Sequence, residues 1–287
     1  MDTKYDITEL SKANKEEIAS YIKRDNFQTA NMLQAPVHVK KTVYTRVFKR
    51  WIDFVVALVA FILTLPVNLV IGIVTWFDVG RPIIFRQTRI GKNRRPFTII
   101  KFRNMTNDVD TNGELLPPGQ RVTKWGGFVR KTSLDELLNF VSILRGDMSL
   151  IGPRPLLDTY EERLSDRHKA MYEVRPGLEC PPLGKIDHPL SWEERFENYV
   201  WYVENCSLIV DIKLAFRVVS LALDKKSTAI RSAADNGGFL GYGPDGHVIY
   251  TKSVPACYVD EFCRNHGYSD LQDAISKRIT ANAVVVG

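Results

Sequence analysis

A chain of 287 residues carrying 39 Lys and Arg against 33 Asp and Glu has a formal charge of +6 and a pI near 9.0. That balance points to an anionic partner, whether nucleic acid, a phosphate-bearing substrate or a membrane surface. With 45% hydrophobic and 25% charged residues the chain is not too polar to bury a core, and four cysteines without a CxxC pair exclude a secreted disulfide framework in favour of reduced thiols in a cytosol-facing protein.

Residues 1–44 are polar, and a short amphipathic helix is expected within KANKEEIASYIKRDNFQTANML at 12–33. Residues 45–80 hold the strongest physical signal. FVVALVAFILTLPVNLVIGIVTWF, from Phe54 to Phe77, carries no charge and is long enough to enter a bilayer. It starts too far into the chain for a secretory signal and has no small-residue cleavage site. A buried core helix is the alternative. Pro66 sits at the centre of the segment, where it removes a backbone hydrogen bond and breaks the helix. Both flanks are basic: Lys40, Lys41, Arg46, Lys49 and Arg50 before it, Arg81, Arg86, Arg89, Lys92, Arg94 and Arg95 after it. Positive flanks stay on the cytoplasmic side, so a helix that simply crosses leaves one of them on the wrong face. A helix that enters, breaks at Pro66 and returns keeps both inside, and this re-entrant form is favoured over spanning. Lys49, Arg50 and Asp53 are then expected at the membrane interface, with Asp53 paired to Arg50.

Residues 81–226 continue with RPIIFRQTRIGKNRRPFTIIKFRNM, which reads as two short strands around GKNRR, and with VDTNGELLPPGQR, which reads as a surface loop. TSLDELLNF, 132–140, opens a helix; Ser133 and Glu136 fit the S-x-x-E capping box and Asp135 is a first-turn acid. YEERLSDRHKAMYEV reads as one helix stopped at RPG. LSWEERFENYVWYVEN and SLIVDIKLAFRVVSLAL read as two more, the second with an apolar stripe suited either to a core or to a membrane surface. From 227 onward a Gly-rich hairpin turning at PDG and a terminal helix capped by Ser269 and Gln272 are expected.

Lys101 and Arg103 fall in KFRNM, Arg130 and Lys131 just before TSLDEL, Arg154 in GPRP and Arg175 in RPG. Arg forks and helix N-termini suit phosphate oxygens, although a solvated basic face accounts for any one of these residues alone. Asp135 and Glu136 lie among the cations and are expected to be held ionised by them. An ionised Asp can attack phosphorus, and a neighbouring acid can hold Mg²⁺ together with substrate phosphates. Asp147, in RGDMS, is a further acid that reads better as a turn or salt-bridge residue. No stacking aromatics interleave the arginines, which argues against nucleic acid.

KRWID (49–53), the Pro-broken apolar stretch, RPIIFRQTRIG, KFRNM, SLDEL, RGDMSLIGPRP, RPG and WYVENCSLIVDIKL occur in this order. Together, over about residues 45–224, they resemble the monotopic phosphoglycosyl transferases, bacterial sugar transferases that act on polyprenyl phosphates. The resemblance implies an α+β, mostly helical, membrane-associated protein: one re-entrant N-terminal membrane helix broken at Pro66, and a cytoplasmic catalytic domain of helices plus short strands at 81–226. It implies the cytoplasmic face of a bacterial inner membrane and transfer of a sugar-1-phosphate from a UDP-sugar to undecaprenyl phosphate, with UMP released, to initiate exopolysaccharide, capsule, O-antigen or glycoprotein glycan assembly. Under it Asp135 is the nucleophile that carries the phospho-sugar, Glu136 is the carboxylate partner of Mg²⁺, and Lys101, Arg103, Arg130, Arg154 and Arg175 surround the substrate phosphates. The partners are then the UDP-sugar, the polyprenyl phosphate and membrane lipids. Residues 227–287 fall outside the resemblance and are a candidate partner or homodimer surface.

Three departures stand out. Leu138 and Asn139 replace the family's usual Pro-Gln, Asn104 stands where KFRTM has Thr, and LECPPLGKIDH follows RPG in place of an I-T-G type of run. A catalytically silent membrane scaffold, and a phosphohydrolase using the same acids on water, are the alternative readings.

Overall fold

The computed structural model describes residues 3–109, 115–116, 118–184, 187–224 and 237–283. The expected loop at 109–121, the segment after RPG and the approach to the C-terminal hairpin lie partly outside them. In chain order the protein has an N-terminal helix Lys12–Leu33, longer than expected, and an apolar helix Lys49–Val79 entered through a π turn at Tyr44–Phe48. The hairpin Ile84–Ile90/Pro96–Phe102 follows, paired from Ile84↔Phe102 to Ile90↔Pro96. Next come helix Lys124–Lys131, a 3-10 turn Leu134–Glu136, helix Asn139–Arg145 and strand Ser149–Ile151. That strand pairs in parallel with Gly177–Glu179. Helices Trp192–Asn205 and Leu208–Leu223 lead to the hairpin Phe239–Tyr242/Val248–Tyr250 and to helices Ala256–His266 and Leu271–Ala283. The sheets among the described residues are two-stranded, so the molecule is mostly helical with short strands.

The break expected at Pro66 does not occur: the apolar helix is continuous through it. Proline leaves the carbonyl one turn back without its donor. Close by, the Thr64 hydroxyl donates to Ala60 O at 2.8 Å, and the Asn68 amide donates to Thr64 Oγ1 at 3.4 Å. An 18-residue window within Tyr44–Val79 has mean hydropathy 2.7 and is 17% buried, which excludes a core helix. Lys49, Asp53 and Ala57 at one end, and Asn68, Ile71 and Thr75 at the other, are buried at helical spacing; no residue from 58 to 67 is. Ala57 joins the core of Ile99, Ile143 and Met148, and Ile71 joins that of Phe102 and Val129.

The polar residues at the helix start are arranged differently from expectation. Arg50 does not pair with Asp53: its guanidinium donates to Ile143 O at 2.6 Å and Leu144 O at 2.8 Å, at the C-terminal end of Asn139–Arg145. Asp53 accepts from Ser149 Oγ at 2.7 Å and Leu150 N at 3.2 Å, while Lys49 bonds Asp211 at 2.6 Å. Tyr44 and Tyr202 also donate to Asp211. Lys49 and Asp53 are thus inside the protein, at 7% and 3% exposure, because the helix start is bolted to the globular part.

The helix expected over 160–174 is three short pieces, Asp158–Glu161, Asp166–Lys169 and Ala170–Glu173. Ser165 restarts the chain as an N-cap for His168, while Arg163 donates to Phe239 O at 3.1 Å and pairs with Glu16. The helix is interrupted where the Ser165 backbone turns extended so that its side chain can accept from His168 N. At the terminal helix Asp270 accepts from Asp273 N at 2.8 Å, in place of the expected Ser269–Gln272 cap. The two ends of the chain share one core: Ile7, Leu10, Ile18 and Ile22 pack with Leu240, Val254, Val259 and Phe262.

Candidate active site

A hairpin strand, a 3-10 turn and a loop meet at Asp135 and Glu136. The capping box does not form. Ser133 has φ 57°, in the left-handed region, whereas an N-cap residue is extended, and its side chain makes no cap bond. The Ser133 carbonyl accepts from Glu136 N at 3.2 Å, and the two acids sit on a 3-10 turn that ends before the next helix begins at Asn139. Freed from capping, the Glu136 side chain turns to the cations.

Lys101 donates to Glu136 Oε1 at 2.6 Å and Arg154 donates to the same oxygen at 2.7 Å. Lys101 comes from the second hairpin strand. Arg154 comes from the loop after Ser149–Ile151, where it also reaches Glu179 Oε2 at 3.3 Å. That loop is held against RPG by an unusually close backbone approach: a Cβ on Gly177 would lie 2.1 Å from Gly152 N. Glycine is required at both positions because each faces backbone of the other.

The two acids are electrostatically unlike. Burial works against ionisation of Glu136, but Arg154 and Lys101 outweigh it and bring its pKa down to about 2. For Asp135, 5% exposed, burial prevails and pushes the carboxyl up; Lys101 and Arg130 oppose the rise and Glu136 adds to it. The expectation that both would be depressed therefore holds for Glu136 and not for Asp135, whose side-chain donor is the neutral Asn104 amide, at 2.9 Å to Oδ2.

The remaining expected residues separate. Arg130, exposed on the last turn of Lys124–Lys131, adds positive potential at Asp135. Arg103 is not in this cluster. It is 8% exposed and donates to Val79 O and, at 3.3 Å, to Arg81 O, closing the C-terminal end of the apolar helix, where a cation meets the negative end of the helix dipole. Arg175 faces another way too, donating to Gly146 O at 3.0 Å, with its pKa lowered by burial and by Arg50. Asp147 sits in the turn after Asn139–Arg145, its amide donating to Ser142 O at 3.0 Å.

Sequence reasoning missed three participants. Asn104 was visible as a departure from the family pattern, but not as a donor to Asp135. Glu179 lies in the altered run after RPG and shares Arg154 with Glu136. Arg89, one cation of a basic flank, donates to Pro155 O at 3.3 Å; burial and then Arg154 lower its pKa. Its Nε has no partner among the described residues.

No group of three or more metal-ligating side chains occurs among the described residues. A cage for a cation is therefore not supplied by protein alone. Mg²⁺ does not need one, since it is commonly held by one or two carboxylates plus substrate phosphates. Both cation bonds to Glu136 land on Oε1, so its second oxygen fits that role.

The family model for bacterial sugar transferases matches residues 44–225. An uncharacterized sugar transferase, EpsL, of Bacillus subtilis is 39% identical over 168 residues, 58% of this chain and 83% of that protein. The UDP-glucose:undecaprenyl-phosphate glucose-1-phosphate transferase of Klebsiella pneumoniae is 35% identical over 192 residues, 63% of this chain and 41% of the enzyme. An exopolysaccharide production protein of Rhizobium leguminosarum is 31% identical over 190 residues, 60% of this chain and 94% of that protein. The chain thus spans most of the Bacillus and Rhizobium proteins and less than half of the Klebsiella enzyme. The site described above lies wholly within the matched residues, and the chain belongs to the bacterial sugar transferase family.

Proposed function

We propose that this protein transfers a sugar-1-phosphate from a UDP-sugar to undecaprenyl phosphate, releasing UMP and carrying the phospho-sugar on Asp135. The observation that carries the reading is the division between the two acids: Glu136 is locked by Lys101 and Arg154, while Asp135 is desolvated and bonded by a neutral amide. A desolvated carboxylate is the more basic of the pair and the better nucleophile.

In the first step a carboxylate oxygen of Asp135 bonds to the phosphorus that bears the sugar. The bond from that phosphorus to the bridging oxygen breaks, and its electron pair leaves with UMP, so no proton moves. In the second step a phosphate oxygen of undecaprenyl phosphate attacks the same phosphorus, and the bond to Asp135 breaks to restore the carboxylate. Arg154 and Lys101 lie beside the turn and supply positive charge for the diphosphate oxygens. Glu136 would hold Mg²⁺ through the oxygen those cations leave, and the ion would screen the diphosphate charge.

The membrane part of the reading is a re-entrant apolar helix on the cytoplasmic face of the inner membrane. A helix of 31 residues extends about 46 Å, enough to cross a hydrocarbon layer of about 30 Å. Yet both of its ends are bonded to one globular body. Arg50 and Asp53 bind the 143–150 region, Asp78 accepts from Thr123 at 2.5 Å, and Thr75 accepts from the Trp125 indole at 3.2 Å. A straight crossing would separate these contacts by the bilayer. The stripe Ile209, Ile212, Phe216, Val219 and Leu223 on helix Leu208–Leu223 is exposed and suits the same membrane surface. The place of the reaction is the start of a surface glycan, exopolysaccharide among the candidates.

The test uses the purified full-length protein with undecaprenyl phosphate, Mg²⁺ and a panel of UDP-sugars including UDP-glucose, and reads UMP. Wild type is expected to release UMP, and Asp135→Asn to lose on the order of 10³-fold or more, as when an enzyme loses its nucleophile. Wild-type turnover by Asp135→Asn would sink the assignment.

A further inference from the structure

We propose that Asn104 is a positioning residue for Asp135: its side-chain amide pins Oδ2, so that Oδ1 is presented as the attacking oxygen. The proposal rests on the transfer reaction above and adds a residue that the reaction does not by itself require.

A carboxylate is free to rotate about its last single bond, and two of the nearest cations are committed elsewhere. Lys101 and Arg154 both bond Glu136, and Arg130 acts on Asp135 through its charge rather than through a hydrogen bond. Asn104 is the side chain that fixes the Asp135 carboxylate, with Nδ2 at 2.9 Å from Oδ2. A neutral donor orients the carboxylate without adding a full positive charge to it.

The donor is itself held rigidly. On one side Arg103 N donates to Ile83 O at 2.9 Å. On the other, Met105 bridges to Val122 and Thr106 N donates to Arg121 O at 2.9 Å. Between them the Asn104 carbonyl is pressed on Gly126 so closely that a Cβ there would lie 2.0 Å from it. The end of one strand therefore delivers two donors three residues apart, Lys101 to Glu136 and Asn104 to Asp135. A side chain so supported can hold an attacking group within the tolerance that nucleophilic displacement needs.

The substitution N104L keeps the approximate shape of Asn and removes the donor. Steady-state kcat and KM are read with a UDP-sugar that wild type accepts, together with the single-turnover burst of UMP in the absence of lipid acceptor. N104L is expected to lower kcat by about 10- to 100-fold, to slow the burst in parallel and to leave KM within about twofold. N104T, which restores a hydroxyl donor, is expected to recover part of the burst rate. A wild-type burst in N104L, or a loss confined to KM, would overturn the proposal. If N104L does not fold, N104Q takes its place. It moves the amide by one methylene, the same kcat loss is expected, and a wild-type kcat overturns the claim. Wild type and Asp135→Asn run alongside. No UMP from wild type overturns the transfer reading and the positioning with it. An active wild type, an inactive Asp135→Asn and an unimpaired N104L overturn the role of Asn104 alone.

Discussion

Glu136 receives Lys101 and Arg154 on one oxygen, 2.6 and 2.7 Å away, and those bonds have a consequence for stability as well as for the site. The carboxyl titrates near 4.5 when unperturbed and at about 2 in the folded protein, where the two cations outweigh burial. A depressed acid stabilises the fold above its unfolded value, and that contribution is lost as pH falls through the folded one. The size is on the order of 3 kcal/mol at most. Glu136→Gln is therefore expected to lower the thermal midpoint near pH 6 in Mg²⁺-free buffer, with the gap from wild type closing as pH approaches 2. A gap independent of pH would contradict the ion-pair account. At this scale the sequence singled out Asp135 and Glu136, because their adjacency and motif are local. It did not show their partners: Lys101 is 35 residues away from Glu136 and Arg154 is 18. The capping box misled because S-x-x-E records residue types, and the left-handed backbone at Ser133 is set by the loops packed around it.

The apolar helix was legible by its length and lack of charge, since a bilayer imposes those features on sequence directly, whereas the break expected at Pro66 is absent from the continuous helix. Its flanking residues were not. Lys49 looked like a headgroup lysine, but its counter-ion is Asp211, 162 residues further on, and Asp53 is spent on Ser149 and Leu150. These bonds fix the helix start, as Arg103, Thr123 and Trp125 fix its end. The re-entrant reading makes a sided prediction. In a Cys257→Ser background, which removes the exposed native thiol, Arg46→Cys and Arg86→Cys sit in exposed positions on either flank. Both are expected to react with a membrane-impermeant maleimide in inside-out vesicles and neither in intact spheroplasts. Reaction of the two from opposite sides would establish a crossing helix.

Across the whole molecule, the family match at 44–225 leaves out the two ends, which join in one hydrophobic core. That unit docks on the catalytic part through polar bonds: buried His168 is bonded to Tyr242 at 2.6 Å, and the Trp192 indole donates to Gly237 O at 3.2 Å. Helix Ala256–His266 was not read, whereas the N-terminal helix, the PDG hairpin and the terminal helix were readable from periodicity and turn chemistry, because those signals are local. Their union was not, since nothing in residues 3–33 marks residues 237–283 as the surface they bury. The proposed transfer turns on one bond, from Asp135 to phosphorus. The most direct measurement is the mass of the intact protein, followed by peptide mapping, after incubation with a UDP-sugar and Mg²⁺ without lipid acceptor. The account predicts one sugar-phosphate added to wild type, mapped to the peptide containing Asp135, lost on addition of undecaprenyl phosphate and absent from Asp135→Asn. A wild-type enzyme that turns over with acceptor but never carries the adduct, or an adduct that persists in Asp135→Asn, would contradict it.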